Sequence, residues 1–360
     1  MSDVWDQGAF RSDVQAALVA FLAEQAERVT ALGQDAARLL AEASAAVSGG
    51  KRFRAAFCYG GYAALRGAPT GDTHDAVLRA AAGLEVLHAS ALVHDDLMDA
   101  SDTRRGRPAT HRGFEAEHRA AQWRGDPEQY GAAAAILLGD LLLSWSDELI
   151  RRCGLGWDRI GPALEVLDLC RSEVIAGQFL DVSVQARAQA TTEQALSVLR
   201  YKSAKYSIER PLHIGAALAG AGPADLAALT DFGLPLGEAF QLRDDLLGVF
   251  GDPAVTGKPA GDDLVEGKRT VVIALTLQAA SPDGARRLDA SLGGPLADTD
   301  ITELRTIIDD SGAREQVERL IRERTEEALA ALRAGRERGW DPSACAMLEE
   351  LADAATQRIA

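Results

Sequence analysis

The sequence is poor in aromatic residues and cysteine, and each shortage argues against a class of protein. Aromatic residues make up 5% of the chain, and no stretch alternates apolar and polar residues as a half-buried strand does. The four cysteines are scattered without a CxxC pair, which argues against a zinc knuckle or a disulfide framework. Alanine and leucine instead recur at three-and-four spacing. The sequence therefore predicts an all-α protein with small, buried, reduced cysteines.

Basic charge is scarce as well. The net charge is −16, which argues against nucleic-acid binding because that function requires a broad basic surface. An anionic substrate would need a local basic pocket. The N-terminus has no signal-peptide pattern, and the best apolar run, 132–143, is short and interrupted by Asp140. We expect a cytoplasmic protein with neither a nucleic-acid partner nor stable membrane insertion.

Lysine is much rarer than arginine, which supplies 33 of the 38 basic residues. The five lysines all lie at or near predicted helix boundaries: Lys51, Lys202, Lys205, Lys258 and Lys268. This pattern indicates places where a compact ammonium group is used rather than a planar guanidinium. Chance placement is the alternative.

One stretch, EVLHASALVHDDLMDASDTRRGRP, carries an acidic motif at the end of a predicted helix, 75–99. Asp95 and Asp99 share a helix face, while Asp96 lies about 100° round from Asp95. Carboxylates at the negative end of a helix are disfavoured, so a cation is expected between them. Oxygen ligands without paired His or Cys suit Mg²⁺, which is held by carboxylates together with substrate phosphates. A solvated helix end is the alternative.

Basic residues lie on both sides of this motif in the sequence. Three arginines follow it: Arg104, Arg105 and Arg107. Guanidinium groups pair with phosphate oxygens, so a phosphate-bearing ligand is expected. Upstream, GGKRFR opens a predicted helix and places Lys51 and Arg54 on its first turn, where backbone N–H groups also bind anions. Solvated charges at a helix cap are the alternative.

A second acidic motif, FQLRDDLLGVFGD, lies near the end of a predicted helix, 223–250. Asp244 and Asp245 repeat the adjacent pair of the first motif. Gly248 stands at the third position instead of a carboxylate, so this motif is expected to bind metal less fully. The glycine- and proline-rich segment 251–263 follows, and we interpret it as a mobile lid.

Other polar residues lie on apolar predicted helices. Gln178 and Asp181 share a face and either brace the core or line a polar site. His88 lies two turns before Asp95 on the same face, where a buried core histidine is the default. His94 and Asp95 form an adjacent His-Asp pair, which also suggests a metal-dependent phosphohydrolase. That class needs further His ligands, and the remaining histidines show no matching pattern.

With these motifs in place, the chain resembles the trans-isoprenyl diphosphate synthases of the polyprenyl synthetase family, from about Gly49 to Thr270. The motifs occur in family order: GGKRFR, H-x6-DDLMD, TRRGRP, GDLLL, GQFLD, KS, FQLRDD and GK...GKRT. The resemblance implies one domain over residues 1–360, an all-α barrel of long helices around a deep central cavity, and a homodimer. It also implies a prenyltransferase that condenses isopentenyl diphosphate with dimethylallyl, geranyl or farnesyl diphosphate.

The resemblance also implies roles for the motif residues. Mg²⁺, three ions per site, would be held by Asp95, Asp99 and Asp244, supported by Asp96 and Asp245; these five and Lys202 are the expected catalytic residues. The positions that bind isopentenyl diphosphate are matched by Lys51, Arg54, His88 and Arg105. Those around the allylic diphosphate are matched by Arg104, Lys202, Ser203, Gln241, Lys258 and Lys268. Ala55, where proline is common, and Gly248, where Asp is frequent, depart from the family pattern.

The product length is inferred from the residues before Asp95 on the same helix. Ser90 and Ala91 are small and leave room for a growing tail, with Leu87 one turn further on. An aromatic side chain there would close the cavity early. We predict geranylgeranyl diphosphate, because it is a common product of the family. The alternative is a farnesyl or longer polyprenyl diphosphate.

Other functions share parts of this pattern. A class I terpene cyclase also combines an Asp-rich motif with Mg²⁺ and an allylic diphosphate, but it needs no second substrate site, which GGKRFR and His88 indicate here. A regulatory subunit that keeps the fold usually has eroded acidic motifs, and the first motif here is complete. The phosphohydrolase has still less support.

Overall fold

The computed structural model describes residues 5–188, 190–251 and 261–357, and almost all of them are helical. The first helices are α1 (Gln7–Val29), α2 (Gln34–Ala46), α3 (Phe53–Arg66), α4 (Gly71–Met98), α5 (Thr110–Ala120), α6 (Pro127–Arg151), α7 (Trp157–Arg187), α8 (Thr192–Val198), α9 (Arg210–Ala219) and α10 (Pro223–Phe250). Further helices follow at Asp262–Val265, Val271–Ala279, Pro282–Ser291, Asp298–Asp310, Ala313–Glu337 and Pro342–Thr356. The prediction of an all-α fold is confirmed.

Short irregular elements interrupt this series. A 3-10 turn, Thr30–Leu32, follows α1, and a π-helix, Leu199–Glu209, joins α8 to α9. Two-residue strands, Thr103–Arg104 and Arg107–Pro108, pair antiparallel after α4. A π-helix within a helical run is often found at a functional site.

The predicted helix bounds are close for α4 and identical for α10, but the start of α3 differs. Lys51 was expected on its first turn, whereas α3 begins at Phe53. Arg52 adopts the left-handed conformation, with φ of 58°, and this turns the chain before the helix begins. Lys51 therefore lies in the loop ahead of the helix, and Arg54 lies in its first turn.

The central helix of the fold is α4, which is buried along most of its length. It runs antiparallel to α6, because Ser90 Oγ donates to the Gly139 carbonyl (2.7 Å) while Gly83, earlier in α4, lies against Ser146 and Leu149, later in α6. By length and composition α4 could cross a membrane, but 78% of its most apolar window is buried inside the protein. That burial is typical of a core helix.

The apolar core consists of two clusters. The larger joins α1, α3, α4, α6 and α9, and the smaller joins the C-terminal half of α10 to the helices after residue 261. Residues from both clusters line the cavity described next.

Candidate active site

A cavity of about 1420 Å³ lies between α4, α6, α7, the π-helix and α10. Many residues singled out from the sequence line it: Lys51, Arg54, Leu87, His88, Ser90, Ala91, Asp95, Arg104, Arg105, Lys202, Ser203, Gln241, Asp244, Asp245 and Lys268. Both acidic motifs therefore reach one hollow. Lys258 and most of the segment interpreted as a lid lie outside the described residues.

Asp95 lies in a network of polar side chains. It accepts a hydrogen bond from Gln178 Nε2 (2.9 Å), and Lys202 Nζ lies 3.4 Å from it. Lys202 also donates to Asp181 Oδ2 (2.5 Å). Burial opposes the ionisation of Asp95, but Lys202 and other nearby cations outweigh it and lower the pKa of the carboxyl. Gln178 and Asp181 therefore belong to a polar site.

The other two carboxylates of the first motif do not line the cavity. Asp96 is 3% exposed and accepts a hydrogen bond from Arg104 Nε (2.8 Å). Asp99 ends α4, 3.8 Å from Lys268 Nζ. Burial, together with the charge of Asp95, raises the pKa of Asp99 to about 6. Asp96 thus orients Arg104, while Asp99 lies beside a cation of the cavity wall.

The second motif reaches the cavity from α10 through Asp244 and Asp245. Asp245 is buried and accepts a hydrogen bond from Gln241 Nε2 (2.7 Å). Burial and the nearby Asp263 raise its pKa to about 8. At Gly248 a side chain has no room, because an added Cβ would overlap the Asp263 carboxylate. Asp263 therefore supplies a carboxylate beside the position where the motif has none.

Sequence reasoning missed Asp263. The residue comes from the short helix Asp262–Val265, which begins within the last two residues of the segment interpreted as a lid, so its place beside α10 depends on a contact across that segment. The signal in the sequence was the acidic pair just before Lys268. Lys268 Nζ lies 3.4 Å from Asp263 and forms an ion pair with Glu266. Although burial opposes it, these carboxylates raise the pKa of Lys268, which stays charged.

Two of the residues assigned to isopentenyl diphosphate, Arg54 and His88, lie around Tyr206, while Arg105 donates to the Ser48 carbonyl (2.7 Å). Arg54 donates to Ser207 Oγ (2.7 Å), and its guanidinium lies 4.2 Å from the centroid of the Tyr206 ring. His88 Nδ1 is 3.1 Å from the Tyr206 hydroxyl. Burial, reinforced by Arg54, lowers the pKa of His88 well below its usual value, so the imidazole is neutral. This cluster combines a fixed cation with a neutral hydrogen-bonding ring.

The loop that carries Lys51 is held by Arg52 and Glu85, which sequence reasoning did not single out. Arg52 is 4% exposed, donates to the Val47 carbonyl (2.7 Å) and lies 3.4 Å from Glu85 Oε2. Glu85 Oε1 accepts the backbone N–H of Ala55 (3.1 Å) in the first turn of α3. One buried carboxylate thus satisfies a helix terminus and a buried guanidinium.

The carboxylates of the cavity suit a divalent cation. Burial and, after it, crowded negative charge raise the pKa values of Asp99 and Asp245, and a cation would relieve this crowding. Within residues 5–188, 190–251 and 261–357, no three carboxylate, His or Cys side chains lie close enough to hold a metal by themselves. Substrate phosphates would have to complete the coordination of Mg²⁺, which is how Mg²⁺ is commonly bound.

Comparison with known proteins places the chain among prenyl diphosphate synthases. The polyprenyl synthetase family model matches residues 37–310. A geranylgeranyl diphosphate synthase of Mycobacterium tuberculosis is 35% identical over 292 residues, 80% of this chain and 76% of that enzyme. A geranylfarnesyl diphosphate synthase of Aeropyrum pernix is 34% identical over 241 residues, 66% of this chain and 70% of that enzyme. The crystal structure of a Corynebacterium glutamicum geranylgeranyl pyrophosphate synthase, complexed with isoprenyl diphosphate and magnesium, is 41% identical; the TM-score is 0.94, with 99% of this chain and 100% of that chain covered.

Proposed function

Since the chain belongs to the polyprenyl synthetase family and is a trans-prenyltransferase, we propose that it extends an allylic diphosphate with isopentenyl diphosphate to give mainly geranylgeranyl diphosphate. The observation that carries the reaction is that Asp95, Asp244 and the basic cluster at Arg54 line one cavity. Two anionic substrates can then lie side by side, one at the carboxylates and one at the guanidinium.

The proposed product length is supported by the wall below Asp95. The small side chains of Ser90 and Ala91 leave the cavity open there. Ser90 Oγ donates a hydrogen bond to the Gly139 carbonyl of α6, which holds the side chain against the cavity wall. Leu87 lines the cavity one turn further on. The cavity therefore has room for a prenyl tail longer than that of dimethylallyl diphosphate.

Magnesium is the proposed cofactor, with three ions per site. Asp95 and Asp99 would hold ions at the end of α4, and Asp244 with Asp263 would hold one on the side of α10. When bound, Mg²⁺ neutralises the allylic diphosphate and stabilises the negative charge that develops as it leaves.

The protein's own residues orient the substrates and keep water out. Lys202 and Lys268 donate N–H groups towards the diphosphate while they stay close to the carboxylates. Arg54 holds isopentenyl diphosphate so that its double bond attacks the allylic carbon. The apolar wall around Leu87 and Ala91 excludes water from the cationic carbon. No protein nucleophile takes part, and the released diphosphate accepts the proton that the new chain loses.

Incubation with each allylic primer in turn, followed by chromatography of the dephosphorylated products, tests this function. We expect turnover only with isopentenyl diphosphate and Mg²⁺ present, and a product of geranylgeranyl length. Product from the allylic substrate alone would favour a class I cyclase instead. A farnesyl-length product would overturn only the chain-length assignment, whereas no consumption of isopentenyl diphosphate would overturn the reaction.

The metal-free protein is expected to lose stability as the pH rises from 6 to 8. With a pKa of about 8, folded Asp245 keeps a proton in this range that the unfolded chain has already released. This group alone should lower the free energy of unfolding by roughly 2 kcal/mol over that interval. Mg²⁺ favours the ionised form, so it should stabilise the protein more at pH 8 than at pH 6.

Thermal unfolding with a chelator and with Mg²⁺, at both pH values, measures this effect. The control is Asp245→Asn, which removes the ionisable group and should flatten the decline in the chelated protein. An unchanged pH slope in that variant would show that Asp245 does not hold the extra proton.

We propose that a second copy of the chain packs on an apolar surface of α6 and α7, so that the protein is a homodimer. Ile136, Leu137, Ile175 and Phe179 are between 47% and 70% exposed. Three of them, Ile136, Ile175 and Phe179, also line the cavity. Large apolar side chains exposed on two helices that pack together are typical of a protein interface. Sedimentation should show a dimer, and a monomer at micromolar concentration would contradict this assignment.

A further inference from the structure

The cavity has a charged residue, Arg171, far from the acidic motifs. On α7, Gln178 bonds to Asp95 and so marks the level of the first motif. Arg171 lines the same cavity seven residues earlier. Two turns of helix place it about 10 Å away from that level along the helix axis. A guanidinium therefore lies towards the deep end of a cavity whose neighbouring side chains there are apolar.

The facing helix, α6, locates this end independently. Its residues run deeper as their numbers rise, because Ile136 faces His94, and Gly139 faces Ser90. Leu143 is the last residue of α6 that lines the cavity, one turn after Gly139. Another turn on, Asp147 bonds to Arg171, with Oδ1 3.3 Å from Nη1. The cavity lining on α6 therefore stops where the Arg171 ion pair begins.

Two carboxylates hold Arg171 in this position. Asp147 reaches it from α6, and Asp168 pairs with it from the preceding turn of α7. The side chains of Arg171 and Asp147 are 23% and 29% exposed, so this pair is partly shielded from water, whereas Asp168 is 67% exposed. A prenyl tail that extended beyond Arg171 would have to break the ion pair between α6 and α7 or lie against a partly desolvated charge. Either outcome is costly.

We propose that Arg171, held by Asp147 and Asp168, closes the deep end of the cavity and limits the length of the prenyl product. This inference rests on the proposed function, since it assigns the end of the tail that the enzyme builds. Ser90 and Ala91 then leave the upper part of the cavity open, and the ion pair sets where growth stops.

Two variants test the proposal: Arg171→Ala, which removes both the bulk and the bridge, and Arg171→Met, which keeps the length of the side chain but removes the charge. Both should shift the products of the enzyme, supplied with dimethylallyl and isopentenyl diphosphates, to longer chains. Because one methylene in an apolar pocket is worth about 10-fold, the ratio of longer product to the wild-type product should rise at least about 10-fold in Arg171→Ala. The matched control is Arg151→Ala, because Arg151 also pairs with Asp147 but does not line the cavity.

Longer chains in either Arg171 variant, with unchanged lengths in Arg151→Ala, support the assignment. The assignment would be overturned if an active Arg171 variant made products of wild-type length. It would also be overturned if Arg151→Ala lengthened the products as much as the Arg171 variants do. Loss of condensation in both variants, with melting temperatures near that of the wild type, would also overturn it, because a residue that only ends the cavity is not needed for the first condensation. Failure of the wild-type enzyme to consume isopentenyl diphosphate would instead refute the proposed function.

Discussion

Asp95→Asn should lower kcat/KM for the condensation by at least about 10³-fold. Asp95 is the carboxylate of the first motif that lines the cavity, and it lies 3.4 Å from Lys202 Nζ. Asparagine keeps the size of the side chain and a hydrogen-bond acceptor for Gln178, but it removes the charge that would bind Mg²⁺. The effect should appear mainly in kcat, because the lost interaction stabilises the departing diphosphate.

Asp102→Asn is the matched control for this variant. Asp102 lies a few residues further along the chain, and its side chain is 82% exposed and pairs with Arg112 (2.9 Å) instead of lining the cavity. Its activity should stay within about two-fold of the wild type, since exposed ion pairs contribute little. Steady-state kinetics at saturating Mg²⁺ measures both variants. A kcat/KM for Asp95→Asn within ten-fold of the wild type would remove Asp95 from the metal site.

Gly215→Ala should lower the free energy of unfolding by about 3–5 kcal/mol. Gly215 lies on α9, where an added Cβ would overlap the Cys58 carbonyl oxygen of α3 and lie 2.9 Å from the Tyr62 nitrogen. Both obstacles are backbone atoms, so no change of rotamer relieves them. Gly61 makes the reciprocal contact with the Leu212 carbonyl, and the two helices can approach only because both positions lack a side chain.

Chemical denaturation of Gly215→Ala measures this loss, with Gly113→Ala as the control. Gly113 lies within α5, and an added Cβ there meets nothing within 4 Å. The control should gain roughly 0.5–1 kcal/mol from the better helix propensity of alanine. Equal stabilities for the two variants would mean that α3 and α9 are not in backbone contact. The loss should also reduce activity, because α3 carries Arg54 and α9 continues the π-helix that carries Lys202.

Local chemistry made much of this molecule predictable. The bounds of α10 follow from Pro223 at its start and Gly251 beyond its end, which are strong helix signals. The 100° rotation between adjacent helical residues predicted that Asp95 and Asp96 would point to different surroundings, and Asp96 indeed turns to Arg104 while Asp95 lines the cavity.

Contacts between distant segments were not predictable in this way. Asp263 lies beside Gly248 only after the chain between them has folded back, so the acidic pair before Lys268 could be noticed in the sequence but its contact with α10 could not be predicted. In GGKRFR three basic residues look equivalent and all three are part of the cavity lining, yet Arg52 is buried in an ion pair with Glu85 on another helix, whereas Arg54 lies over the Tyr206 ring. The partner across the fold, not the local pattern, distinguishes a structural arginine from a binding one.

A crystal structure with Mn²⁺ and an unreactive allylic diphosphate analogue would show whether both acidic motifs bind one diphosphate through metal ions. We expect anomalous metal peaks at Asp95 and at Asp244, with the diphosphate between them and the tail running past Ser90 towards Arg171. A diphosphate bound elsewhere, or metal at only one of the two acidic motifs, would contradict this expectation.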